Sequence, residues 1–426
     1  MELALRQATE FFAAELAEPG RVRPRWGEFE WRMARAAAVL QGVTPLLAGV
    51  LRWRGPRGWE RFLSQQRIHT AVRQLRIVAL LARIDEQARR AGIAIVPLKG
   101  AALYRLGIYS GGERPMADLD LLVAPHDAER VKPLLQGLGY LDTSVSWKHH
   151  TFEPAEHATA LVRKAVASFG EHADRPIKID LHTRIAERLP LIAQDVSALI
   201  FPGAPQPGLN PYPSAAALFA HLLLHAAGNM VPRALRLIQL HDLALLAARM
   251  QDEDWAQLLA WRLADRGLWW AVPPLELVAR YYPEAIPIDV LTALRTACPR
   301  GLRGTARRQT LSEVSFARLR IDAFPGIAWS TSVSDKLRYV LERVIPSREL
   351  LDKREAVGSE AWSTCGAWPQ LSQGRRILRW ALTRPGRPPA MHTVRAALED
   401  PVIEAAPRQP PADGSGDRSS VASLML

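Results

Sequence analysis

The chain has 426 residues, 48% of them hydrophobic, which is enough for a sizeable core and two or three domains. No run of about 18 apolar residues offers a membrane span, residues 1–6 do not read as a secretion signal, and two cysteines, Cys298 and Cys365, make neither a disulfide framework nor a zinc site by themselves; a reducing cytoplasm is the simplest home. Lys and Arg number 55 against 43 Asp and Glu, a formal charge of +12, but the arginines are dispersed, so codon usage explains them better than a nucleic-acid or lipid surface does.

Residues 1–90 read as helical. Within 68–90, Ile68, Val72, Leu75, Ala79 and Ala82 recur at four- and three-residue spacing, one face of a helix. Gly92 is placed to cap its C-terminus. Residues 93–98 are apolar and partly β-branched and predict a buried strand, with Pro97 near its end or at a sheet edge. Lys99-Gly100 closes that strand, and 101–106 begins a short helix. Ser110-Gly111-Gly112 is a loop and 118–123 a second strand. Pro125 opens another helix, which stops near Gly137 and Gly139. Residues 142–175 carry no clear period. Residues 177–182 alternate apolar and polar and predict a third strand. From about 213 the chain turns alanine- and leucine-rich, with helical patterns at 215–227, 235–250 and 255–264. The expected division is therefore a helical segment at 1–69, an α+β core at 70–204 and a helical domain at 205–384. Residues 385–426, rich in Pro, Gly, Ser and charge, read as a disordered tail.

The chemistry lies in Arg114-Pro115-Met116-Ala117-Asp118-Leu119-Asp120-Leu121-Leu122-Val123. A strand sends alternate side chains to opposite faces, so Asp118 and Asp120 leave one face, about 7 Å apart along the backbone. Two acids on one face repel, and a divalent metal offsets that charge directly. Magnesium takes oxygen ligands and is commonly held by one or two carboxylates plus substrate phosphates, and two such ions can brace an in-line displacement. Asp180 and His182 share the polar face of the third strand. If the strands are neighbours, Asp180 joins Asp118 and Asp120 as metal ligand or as general base toward an acceptor hydroxyl. Alone, an Asp-x-Asp pair is as readily a solvated turn, and Arg114 as readily a surface arginine neutralising it.

Leu98-Lys99-Gly100-Ala101-Ala102-Leu103-Tyr104, the Asp118–Asp120 segment and Ile179-Asp180-Leu181-His182 together resemble the bacterial "uncharacterised nucleotidyltransferase" family of the polymerase-β-like nucleotidyltransferase superfamily. The motifs span 98–182, with weaker likeness at His221, His225 and a stretch holding Asp242. The resemblance implies an α+β fold, a small mixed sheet with flanking helices, plus a helical C-terminal domain. It implies that Asp118, Asp120 and Asp180 ligate Mg²⁺ ions. It also implies transfer of a nucleoside monophosphate from a nucleoside triphosphate to an unknown acceptor, a peptide, sugar or small molecule. Family members are met beside genes for lasso-peptide and exopolysaccharide assembly. Lys99, Gly100, Arg114 and His182 are the expected nucleotide contacts. The chain departs from the wider superfamily in carrying Lys99-Gly100 where Gly-Ser or Gly-Gly is usual, with Asp118 lying 18 residues beyond the glycine. Lys99 can replace the missing serine as a point charge on the triphosphate, and Gly100 lets the backbone approach it. The same departure motivates an alternative: a degenerate member that binds a partner and transfers nothing.

His149 and His150 fall in the irregular segment and read as exposed loop residues. His221 and His225 sit four apart on one helix face, but Leu222 stands where a zinc protease needs glutamate. Asp242 either caps a helix or pairs with an arginine such as Arg236. The tryptophans read as packing residues. Neither a phosphate loop of the Walker type, nor a dinucleotide-binding glycine fingerprint, nor a nucleophile elbow is present.

Overall fold

The computed structural model describes residues 1–155, 168–261, 267–345, 372–383 and 386–400. Four helices come first: α1 (Glu2–Ala17), α2 (Glu28–Gln41), α3 (Thr44–Val50) and α4 (Arg57–Ala91). Helix α4 is 35 residues long and runs straight through position 69. It ends at Gly92, whose φ of 65° lies in the left-handed region that glycine adopts without a Cβ penalty. The helix is as expected, but the apolar row Ile68, Val72 and Leu75 faces solvent at 63, 40 and 71% exposure. The buried stripe is Gln66, Thr70, Arg73, Ile77, Ile84 and Ala88. Arg73 explains the reversal: its Nη2 donates to the carbonyls of Met116 (3.0 Å) and Ala117 (3.3 Å), and Glu171 lies 3.5 Å from its Nε. The helix thus satisfies backbone acceptors in the segment entering the second strand.

The strands are β1 (Ala94–Pro97), β2 (Asp118–Val123), β3 (Tyr140–Val145), β4 (His149–Pro154), β5 (Lys178–His182), β6 (Ala186–Leu189), β7 (Ile192–Asp195) and β8 (Gly208–Leu209). Helices α5 (Lys99–Arg105) and α6 (Ala128–Gly137) follow β1 and β2. Six strands form one mixed sheet in the order β3-β4-β5-β2-β1-β8, while β6 and β7 pair separately. Strands β2 and β5 are parallel neighbours; β1 is antiparallel to β2, and β4 antiparallel to β5. Pro97 ends β1, as expected, but β1 is an inner strand and not an edge. The irregular segment holds β3 and β4, so His149 and His150 are strand residues and not loop residues. Residues 156–167 of that segment lie outside the described residues.

Strand alternation divides the apolar residues between two cores. Ile95, Leu119, Leu121, Val123, Phe152, Ile179 and Leu181 pack with α4 and α6. Val96, Leu98 and Leu122 leave the opposite face and join a second core made of α1–α3 and the helices beyond the sheet. Those helices include α7 (Ala215–Met230), α8 (Leu237–Ala247), α9 (Asp252–Trp261) and α10 (Val272–Tyr281). The expected extension of the third of these patterns to 264 lies outside the described residues. Trp31, Trp53, Trp59 and Trp270 are all buried in this core, consistent with packing roles. In the stretch read as a disordered tail, residues 388–399 are instead a helix, with Ala390, Val394 and Ala397 buried in the same core. Its apolar positions recur every three to four residues, which the Pro- and Arg-rich flanks obscure. Residues 401–426 and Cys365 lie outside the described residues. Among the described residues no single helix is long and apolar enough to cross a membrane.

Candidate active site

Asp118, Asp120 and Leu122 leave the second face of β2; Lys178, Asp180 and His182 leave the same face of β5. The parallel register sets Asp120 beside Asp180 and Leu122 beside His182, and neighbouring strands lie about 4.8 Å apart. On the other side of β5, Thr151 pairs with Asp180 and His149 with His182. A polar patch spanning three strands therefore faces the helical core. Its acids come from the two strands that the sequence singles out. His149 read as an exposed loop residue and Thr151 was not singled out, because residues 142–175 have no simple period; the signal was the alternation of His149 and Thr151 with the buried Phe152.

Asp120 is the electrostatic centre. One of its oxygens, Oδ1, accepts from Lys99 Nζ at 2.8 Å and meets His182 Nε2 at 2.9 Å. Burial alone would raise its pKa, but the Lys99 ammonium and His182 outweigh burial and hold the carboxyl well below the usual range. The pair raises Lys99 in turn, against burial. Asp118, at the first position of β2, is exposed. Desolvation by the surrounding protein and the charge of Asp120 push its carboxyl up. Asp180 is pushed to about 6, by burial first and then by Asp120 and Asp118. Thr151 Oγ1 donates to Asp180 Oδ1 at 2.8 Å. Burial and the proximity of His182 lower His149 to about 4, so its ring is neutral at pH 7.

Lys99 occupies the left-handed region, with φ 48°, an uncommon conformation for a residue with a side chain. Tyr212 lies beside this turn, and its hydroxyl meets His221 Nδ1 at 2.8 Å. Burial holds His221 well below its ordinary pKa, so its ring is neutral beside Tyr212. His225 is likewise lowered, and its Nε2 accepts from Gln239 Nε2 at 2.7 Å. The helical pair thus borders the site. Gly100 is also held to glycine by its own neighbours. A Cβ there would collide with Arg114 Nη1 and stand 2.7 Å from Met116 Sδ, so protein side chains occupy the space.

Arg114 is drawn away from the polar patch. Its Nε and Nη2 grip the Asp242 carboxylate at 2.8 and 2.6 Å, and Tyr109 donates to the same carboxylate at 2.7 Å. Asp242 thus pairs with an arginine, but with Arg114 and not with Arg236. Arg236 is half-buried, is felt by Asp118, and among the described residues has no carboxylate at salt-bridge distance. Burial lowers its pKa. Its Nε donates to the Leu40 carbonyl at 3.1 Å.

A divalent metal can be tested against these donors. Among the described residues, His149, Asp180 and His182 gather one ligand atom each within 4.8 Å of one another. His149 Nε2, 3.6 Å from Asp180 Oδ2, has no hydrogen-bond partner among the described residues, and two imidazoles with a carboxylate are donors that a divalent cation takes. The donors therefore fit a divalent cation.

A mixed sheet flanked by helices, with acids on adjacent strands and a Lys-Gly turn beside them, defines an α+β nucleotidyltransferase fold. Residues 27–273 match the family described as "uncharacterised nucleotidyltransferase", more than half of the chain, and the chain belongs to that family. The match reaches well beyond the motifs, from just before α2 to the start of α10. No curated protein and no solved structure matches the chain.

Proposed function

We propose that the protein transfers a nucleoside monophosphate from a nucleoside triphosphate to a hydroxyl of a peptide, sugar or small molecule. The observation that carries this reading is the register of β2 and β5, which sets Asp120 beside Asp180 with Asp118 on the same face. Bound Mg²⁺ would offset the charge of the triphosphate and of the carboxylates. Asp118 and the second oxygen of Asp120 are the ligands offered to it. Lys99, 2.8 Å from Asp120 Oδ1, and Arg236, whose charge Asp118 feels, would meet the phosphates. Asp180, as a metal ligand at the acceptor side, positions the acceptor hydroxyl, whose proton passes to water while the acceptor oxygen bonds to the α-phosphorus. The bond from that phosphorus to the bridging oxygen breaks, and pyrophosphate leaves. Biosynthesis of a peptide natural product or an exopolysaccharide would supply such acceptors.

The test is Asp120→Ala, assayed for pyrophosphate release from each labelled nucleotide with Mg²⁺ and cell extract, alongside nucleotide-dependent melting. Release and a melting shift in the native protein, both lost in the variant, are expected. Equal melting shifts in the two proteins would remove the metal–nucleotide claim. A second reading, binding without transfer, draws on the tie of Asp120 Oδ1 to Lys99 and His182. Asp118-dependent release of pyrophosphate would sink it.

A further inference from the structure

We infer that His149, Asp180 and His182 form a site for a first-row transition-metal dication, which they select over Mg²⁺. This deepens the proposed transfer reaction by naming the metal class at its Asp180 position, and it rests on that reading only for its place in the reaction. The three residues come from adjacent strands in a fixed order. His149 pairs with His182 across β4 and β5, and Asp180 lies two residues before His182, so all three leave one face. One ligand atom of each lies within 4.8 Å of the others.

One of these donors lacks a partner, and the other two are held in place. His149 Nδ1 is buried and unpartnered, and its Nε2 stands 3.6 Å from Asp180 Oδ2, too far for a good hydrogen bond. Nε2, the atom that faces Asp180, thus has no hydrogen bond among the described residues and is the nitrogen open to a metal. Thr151 holds Asp180 Oδ1 at 2.8 Å, which orients the carboxylate with Oδ2 toward His149. His182 is oriented by Asp120, which Lys99 fixes in turn. Metal-binding imidazoles and carboxylates are characteristically held by such outer partners.

The donor set decides the metal. Two imidazoles and one carboxylate suit zinc and its first-row neighbours. Magnesium prefers oxygen donors in near-ideal octahedral geometry and gives up its waters reluctantly. A site built from three aspartates would favour magnesium; replacing two of the donors by histidine reverses that preference.

The test uses the full chain, stripped with chelator and free of nucleotide. Mn²⁺ is added as the probe, free ion is followed by electron paramagnetic resonance, and bound ion is read for ¹⁴N modulation by the pulsed method. One bound Mn²⁺ with histidine nitrogen modulation is expected, displaced by stoichiometric Zn²⁺ and resistant to a large excess of Mg²⁺. In His149→Ala the affinity should fall at least about tenfold, with the melting curve recorded to confirm that the variant folds. Absence of bound Mn²⁺, bound Mn²⁺ without nitrogen modulation, or ready displacement by Mg²⁺ overturns the inference. The native-protein spectrum decides even where the variant fails to fold. Pyrophosphate release with Mg²⁺ is measured separately, so either reading can fail alone.

Discussion

Burial sets the charge of histidines next to this site, and His241 shows the consequence for stability. It is 7% exposed and its Nδ1 meets the Tyr282 hydroxyl at 3.0 Å. Burial lowers its pKa from 6.5 to about 4, against the opposing pull of Asp242. The folded state therefore binds this proton less readily than the unfolded chain. The stability it contributes is fully present above pH 6.5 and is lost as pH falls through about 4. The loss attributable to this ring is at most about 3 kcal/mol. His241→Gln should lose stability less steeply than the native protein between these values, measured by urea unfolding across the range; other lowered histidines remain in both and cancel. Parallel slopes would show that the ring is not held neutral. At this scale the sequence was informative where local rules suffice. Strand alternation put Asp118 and Asp120 on one face, and the alternating third strand supplied Asp180 as a neighbour. The partner of Arg114 obeys no local rule, because Asp242 is 128 residues away.

Elements were legible by type more than by orientation. β2 begins and ends where the residues predict, and α7 and α8 follow the alanine- and leucine-rich patterns. The face of α4 was not legible, because its buried stripe is anchored by a polar residue. Arg73 faces inward to bind carbonyls of the segment that leads into β2, and periodicity of apolar residues cannot announce that. The same segment is tied to α8 by the buried Arg114–Asp242 pair. Asp242→Ala would leave a guanidinium and the Tyr109 hydroxyl in the core without their acceptor. Removing one member of a buried pair typically costs about 3–5 kcal/mol, so that loss is expected in chemical denaturation. The double change Arg114→Met with Asp242→Leu should cost less, since no charge is left stranded. A single-variant loss under about 1 kcal/mol, as for an exposed pair, would mean that the pair does not lock this segment to α8.

The whole molecule has a seam that the linear division at 69 and 205 does not express. Val96, Leu98 and Leu122 on the site face of the sheet share one core with Phe12, Trp31 and Trp59 before it and Phe219, Leu240 and Leu275 after it. Helix α4 crosses position 69 without a break. The polar patch is therefore the polar part of a sheet face whose remainder is packed against helices from both ends of the chain. Strand patterns and helix periods cannot reveal this, because each reports an element and not its neighbour. A fragment of residues 70–204 would cut α4 within its length and expose the three apolar residues of the sheet face. Burial of one such side chain contributes about 1.5–3 kcal/mol, so losing three removes stability comparable to that of a whole domain. The fragment should accordingly fail to fold: little amide dispersion in its proton NMR spectrum and no cooperative melting by circular dichroism. The same assays on residues 1–400 should show a single cooperative transition. A fragment that melts cooperatively with dispersed amides would show that the sheet carries its own core, and that the helices from the two ends are accessories to the site and not part of what forms it.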